Sequence, residues 1–173
     1  MKQILALLLC AAAALCSLSA QQSLRRAPSW ALYDSQGKLR DILDYRGKVL
    51  IIDMMQTTCP HCNSFADVLQ KVQQRYGDKV AIVGVVTVLG PQADTPDKVA
   101  AYIAGHHVTY PIVFDMAQMQ VTYVQKTQIS FPQLYVIDQN GYIRGDWTYG
   151  VTTRDIFEGN GLFNELDRLT GKK

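Results

Sequence analysis

Apolar positions recur along this chain with two periods, and the switching between them predicts the elements. Lys48 to Met55 (KVLIIDMM) is a nearly continuous apolar run with β-branched residues, the pattern of a central strand buried on both faces. Lys79 to Leu89 (KVAIVGVVTVL) repeats it, and Tyr110 to Asp115 (YPIVFD) is a third, shorter strand. Between the first two, Phe65, Leu69, Val72 and Tyr76 fall at helical spacing behind Pro60, a residue tolerated in the first turn because its missing N–H is not needed there. Gly77-Asp78 is the stop signal. Thr95-Pro96-Asp97 opens a second helix through about Gly105, with Val99, Tyr102 and Ile103 inward, and Met116 to Val124 predicts a short third.

Gln133 to Asp138, a turn at Asp138-Gln139-Asn140-Gly141, and Tyr142 to Thr148 predict an antiparallel hairpin. Thr153 to Leu169 predicts a closing amphipathic helix carrying Ile156, Phe157, Leu162, Phe163, Leu166 and Leu169, with Gly159 and Gly161 weakening its middle. Upstream, Trp30 and Leu32 with a turn at Asp34 to Gly37 predict a small strand or hairpin that covers a sheet edge or bottom. Strands alternating with helices, then a hairpin and a last helix, place the chain in the α/β class, with helices around a mixed central sheet.

The N-terminus breaks from this pattern. Lys2 is followed by an apolar run from Ile4 to Leu18, then small residues and polar Gln21-Gln22-Ser23, which is the layout of a secretory signal peptide and short for a membrane span. The expected organisation is therefore a signal over 1–20, a linker over 21–28 and one domain over 29–173. Leu18 is a poor residue three positions before a cut after Ala20, so cleavage after Ser19 or Ala14 is an alternative. Leu9 and Leu15 precede Cys10 and Cys16, where a lipoprotein site wants a small residue, so a periplasmic or secreted form is favoured over a membrane-anchored one. The composition is near average at 173 residues and a formal charge of +2, with no bias toward nucleic acid or a membrane surface; a monomer is expected.

Loss of the signal leaves Cys59 and Cys62 as the only thiols. A structural disulfide normally closes a long loop, and a pair two residues apart closes almost none, so this pair reads as functional. Cys59-Pro60-His61-Cys62 stands where a buried strand turns into a helix, whose N-terminus offers free N–H groups and partial positive charge to a thiolate. Such spacing inside a βαβ pattern is the thioredoxin-like redox arrangement, with Cys59 exposed and Cys62 deeper. Zinc would want four ligands, and no second cysteine pair exists in the exported chain. A copper-binding module using Cys59, Cys62 and a histidine or methionine is the alternative from another class. Met54 and Met55 read as core, and His106 and His107, after a helix C-terminus, as capping or surface residues.

The chain resembles the thioredoxin superfamily, and within it the exported thiol-disulfide oxidoreductases of the TlpA and ResA type, over nearly all of Ala27 to Leu169. The carriers are Ala27-Pro28, the Gly37-Lys38 turn, Arg46-Gly47-Lys48, the Cys59-Pro60-His61-Cys62 motif, Tyr110-Pro111 to Asp115, and Phe131-Pro132 before Leu134 to Asp138 and Gly141. The resemblance implies a thioredoxin-like fold with an N-terminal hairpin extension and a βα insertion between Cys62 and Pro132. It implies that Pro132 is a cis-proline facing the redox pair, that the Phe131 backbone pairs with an extended substrate segment, and that Asp53 exchanges protons with Cys62. Burial without a partner raises a carboxyl pKa, which suits that role. Where the family usually has Trp before the first cysteine, this chain has Thr58.

His61 pulls toward oxidase chemistry. A histidine between the cysteines can donate to, or carry charge beside, the Cys59 thiolate and so stabilise the dithiol form, and the same four residues occur in the periplasmic oxidases of the DsbA type. The large helical domain of those oxidases has no room between Cys62 and Pro132. A peroxiredoxin reading is disfavoured by Gln56 and Ile52, where that family places threonine and proline. The sequence therefore predicts an extracytoplasmic thiol-disulfide oxidoreductase with no cofactor beyond its redox pair, acting on protein thiols or disulfides with an upstream redox partner. Its expected direction is reductive, with a more oxidising site than thioredoxin.

Overall fold

The computed structural model describes residues 25–91, 93–125 and 130–172. The expected signal, Cys10, Cys16 and the first part of the linker lie outside the described residues. A small hairpin of β1 (Ala31–Tyr33) and β2 (Leu39–Asp41) comes first, followed by β3 (Val49–Met55), α1 (Pro60–Tyr76), β4 (Val80–Thr87) and α2 (Pro96–Gly105). Then come β5 (Ile112–Asp115), α3 (Gln118–Tyr123), β6 (Gln133–Ile137), β7 (Ile143–Thr148), α4 (Arg154–Phe157) and α5 (Asn160–Thr170).

Among the described residues the main sheet has the order β5-β4-β3-β6-β7, parallel from β5 to β3 and antiparallel from β3 to β7. The mixed sheet is thus as expected, and β3 lies at its centre. All seven residues of β3 are buried, which explains its unbroken apolar run. Alternate β3 residues feed two cores. Val49, Ile51 and Met55 join Phe65, Leu69 and Val72 of α1, Val99 of α2, and Phe157, Leu162 and Leu166 on one face. Leu50, Ile52 and Met54 join Trp30, Met119, Tyr123 and Tyr135 on the other.

The first hairpin does cover an edge. Asp34 bridges Val113, and the Ser35 N–H donates to the Ile112 carbonyl at 2.9 Å, closing the outer side of β5. Its turn and the β6–β7 turn use one device. Asp34 accepts from the N–H groups of Gln36 and Lys38 and from Arg40 Nε at 2.7 Å, and Asp138 accepts from those of Asn140 and Tyr142 and from Arg144 Nε at 2.6 Å. Burial pushes both carboxyls up, but these donors outweigh it and hold both below the usual carboxylate range.

The closing helix differs from expectation. A 3-10 turn over Val151–Thr153 leads into α4, which stops at Phe157, and α5 starts afresh at Asn160. Gly159 makes the break, with φ +106°, a conformation that strains any side chain; its N–H serves the carbonyls of Asp155 and Ile156 at 3.1 and 3.2 Å. The break lets Phe157 and Leu162 both reach the core below α1. A β-carbon at Gly159 would also stand 3.1 Å from Phe163 Cε2 and 3.2 Å from Val68 Cγ1. Gly159→Ala is expected to destabilise the fold by about 1–3 kcal/mol, read as a lower urea midpoint at unchanged m-value.

Candidate active site

The turn between β3 and α1 holds the two cysteines. Cys59 takes the N-cap position of α1 in extended conformation, and its Sγ accepts from the Cys62 N–H at 3.4 Å, standing where a serine or aspartate oxygen usually caps a helix. Pro60 follows at the first helical position. The Cys59 N–H donates to Gln56 O at 3.1 Å, and the Asn63 amide, with its nitrogen turned toward the loop, donates to the carbonyls of Thr57 and Cys59. Both cysteines are free thiols. Cys62 is fully buried, as predicted, whereas Cys59 is half-buried rather than exposed. The cause is the wall beside it: Cys59 Sγ donates to the Phe131 carbonyl at 3.7 Å.

Beneath the pair lies Asp53, with no exposed surface and neither carboxylate oxygen hydrogen-bonded. Strand parity puts it on the α1 face, the face of Ile51, Met55 and Cys62. Burial pushes its carboxyl from 3.8 up to about 7. Burial also drives the Cys62 thiol far up, and the Asp53 charge and the hydrogen bond with Cys59 add to it. In the parallel register Asp53 stands opposite Gly84, where a β-carbon would crowd Ile112 Cγ1 at 3.1 Å and touch Tyr110 Cε2 at 3.5 Å. Tyr110 OH is buried without a partner, and Tyr102 OH donates to the Cys62 carbonyl at 3.3 Å. Burial and then the charge of Asp53 raise both phenols, so two neutral tyrosines surround the acid.

The opposing wall is the segment before β6. The Phe131–Pro132 peptide is cis, Pro132 is buried and Phe131 is partly exposed. Tyr149, directly after β7, donates its N–H to the Pro132 carbonyl at 3.1 Å. Its ring stacks on exposed His61, with centroids 3.9 Å apart and planes 18° from parallel. On the other side of the motif, buried Asp94 accepts from the Thr57 N–H at 3.2 Å and from the Thr57 hydroxyl, tying the loop after β4 to the cysteine turn. Val151, 95 % exposed, follows Tyr149 by two residues.

Cys59, Pro60, His61, Cys62, Asp53, Phe131 and Pro132 therefore converge at one end of the central strand. Sequence reasoning missed Tyr149, Tyr102, Tyr110 and the Thr57–Asp94 link. Tyr149 carries no signal in the hairpin's own sequence: it stands beside Pro132 because Gln133 pairs with Thr148, a register set by the bulge between Val136 and Ile137. Met54 and Met55 are in the cores, on opposite faces. His106 caps the C-terminus of α2 and tilts over Tyr102 at 4.6 Å, away from the cysteines in sequence and role. Among the described residues no group of three or more His, Cys, Asp or Glu side chains could hold a metal ion, and no helix is long and apolar enough to cross a membrane.

Comparison with known proteins agrees with this geometry. The chain is 26 % identical over 134 residues to the thioredoxin-like protein YneN of Bacillus subtilis, spanning 78 % of this chain and 75 % of that one. It is 27 % identical over 133 residues to the thiol-disulfide oxidoreductase ResA of Geobacillus thermodenitrificans, spanning 75 % and 71 %. A thioredoxin family thiol:disulfide interchange protein from Chlorobium tepidum superposes with a TM-score of 0.67 at 22 % identity, over 83 % of this chain and 98 % of that one, which establishes the thioredoxin-like fold. Residues 24–145 match the model of the AhpC/TSA family, and with a thioredoxin-like sheet, a CxxC turn and 122 of its 173 residues inside that match, the chain belongs to the AhpC/TSA family.

Proposed function

We propose that this protein is an extracytoplasmic thiol-disulfide oxidoreductase, working in the reductive direction with a site more oxidising than that of thioredoxin. The observation that carries the reading is the vertical order of three groups: a half-buried Cys59 capping the helix, Cys62 fully buried below it, and an unpartnered acid, Asp53, on the same face of the strand beneath. Export is supported by the leader pattern of residues 1–20. No membrane or nucleic-acid partner enters the reading, and the substrates are protein disulfides.

In the reductive direction the Cys59 thiolate, held by the Cys62 N–H and the helix N-terminus, attacks one sulfur of a substrate disulfide. That breaks the substrate S–S bond, forms a mixed disulfide and releases one substrate thiolate. The buried Cys62 thiol then passes its proton to the Asp53 carboxylate and attacks Cys59 Sγ. The Cys59–Cys62 disulfide forms and the second substrate thiolate leaves, taking up a proton from solvent. With its carboxyl at about 7, Asp53 is partly ionised near neutrality and can accept that proton, which a carboxyl at 3.8 would hold too weakly. Oxidation of a substrate dithiol is the same path reversed. The Phe131 carbonyl beside Cys59 offers an extended substrate segment its backbone partner.

Two variants test the path. Cys62→Ala stops the path at the mixed disulfide, so adducts through Cys59 should appear on non-reducing gels and vanish with dithiothreitol; absence of adducts refutes the assignment. Asp53→Asn should slow resolution at pH 7 by about 10²-fold in stopped-flow measurements while leaving the first attack nearly unchanged.

The same variant has a stability signature. Below about pH 4 the Asp53 carboxyl is protonated in both folded and unfolded chains; between 4 and 7 only the unfolded chain ionises, so stability falls as pH rises, by on the order of 4 kcal/mol across the window. Asp53→Asn should lose that slope. The reduction potential of the pair in glutathione buffers should fall between those of thioredoxin and the strongest oxidases, about −270 and −120 mV; a value at the upper limit would reverse the proposed direction.

A further inference from the structure

The contact between His61 and Tyr149 is a part of this site that the exchange steps leave unused. His61 is exposed on the first turn of α1, where it would be free to rotate, yet its imidazole lies flat on a ring that cannot follow it. Tyr149 is fixed from two sides. Its N–H is bonded to the Pro132 carbonyl, and its ring meets Phe157 edge-on at 5.5 Å; Phe157 is itself edge-on to Phe65 at 5.0 Å in the core. The stack therefore connects the CxxC turn to the cis-proline wall and to α4.

We propose that Tyr149 is a positioning residue that acts through His61 to make the Cys59–Cys62 disulfide a stronger oxidant. The π-face of a tyrosine is negative and favours a cation laid against it. A helix N-terminus disfavours a cation, so positive charge on His61 there gains from such a surface. Held in one place beside the motif, that charge stabilises the Cys59 thiolate and with it the dithiol form. The inference rests on the thiol-disulfide reading above.

The measurement is the equilibrium of the full chain with glutathione. Two glutathione thiols give two electrons and two protons to the protein disulfide, yielding the Cys59 and Cys62 thiols and one glutathione disulfide. Tyr149→Ala should lower the equilibrium constant for this reduction about 10-fold, or ~30 mV toward a weaker oxidant. Tyr149→Phe, which keeps the ring, should stay within about 2-fold of the parent. Tyr149→Leu keeps apolar packing on Phe157 without a π-face, so it should fall with the alanine variant, and it serves if that variant does not fold. In a His61→Ser background, Tyr149→Leu should change nothing.

An unchanged constant in Tyr149→Leu, or an equal drop with and without His61, overturns the role of Tyr149 and leaves the oxidoreductase reading standing. If the parent protein itself does not exchange with glutathione, the oxidoreductase reading fails and this inference with it.

Discussion

Burial of β3 on both faces is the constraint on which the rest of the structure depends. Seven consecutive buried residues, paired in parallel with β4 and antiparallel with β6, cannot slip by one position without moving every side chain to the opposite core. That fixed register decides where Asp53 points. It also decides where the strand ends, and so where the chain turns to present Cys59 and Cys62 at the start of α1. A buried carboxyl without a hydrogen-bond partner is costly, and only a strand locked by apolar residues on either side of it can hold one.

One helical turn then gives two identical side chains opposite characters. Cys59 lies at the N-cap, where its sulfur receives a backbone N–H and the positive end of the helix. Cys62, three residues on, has turned inward to full burial, where charge is disfavoured by the apolar surroundings and again by Asp53. Spacing alone separates the two roles. The neutral phenols of Tyr102 and Tyr110 complete the buried side of the site.

The sequence revealed the parts of this arrangement that depend on local pattern. The β3 run, the α1 stripe from Phe65 to Tyr76 and the Cys59-Pro60-His61-Cys62 turn are all local, and so is the Asp138 turn. Contacts made by distant segments were hidden. Tyr149 is an example with a definite cause: counting outward from the turn, Ile137 pairs with Ile143, and an unbroken ladder would set Pro132 opposite Thr148. A bulge between Val136 and Ile137 shifts the ladder by one residue, so Tyr149 takes that place. The closing helix failed for a related reason. Apolar residues on both sides of Gly159 fit one helical face, but the core accepts Phe157 and Leu162 together only if the chain breaks between them.

Under the proposed function, the apparent conflict between an oxidase-like motif and a reductase-like frame dissolves, because the two titratable residues act on different sulfurs. Charge beside Cys59 weights the thiolate against the disulfide and so sets the poise of the pair. Asp53 lies under Cys62, and proton transfer there sets how fast a mixed disulfide is resolved, in either direction. Poise and rate can be tuned separately, so a more oxidising pair is compatible with a reductive task whenever the upstream donor is more reducing still. What remains to select the direction is access to Cys59. Its rim carries an exposed Thr58 and a partly exposed Phe131. A partner must fit that surface to reach the sulfur, so discrimination among partners falls to the rim rather than to the four residues of the motif.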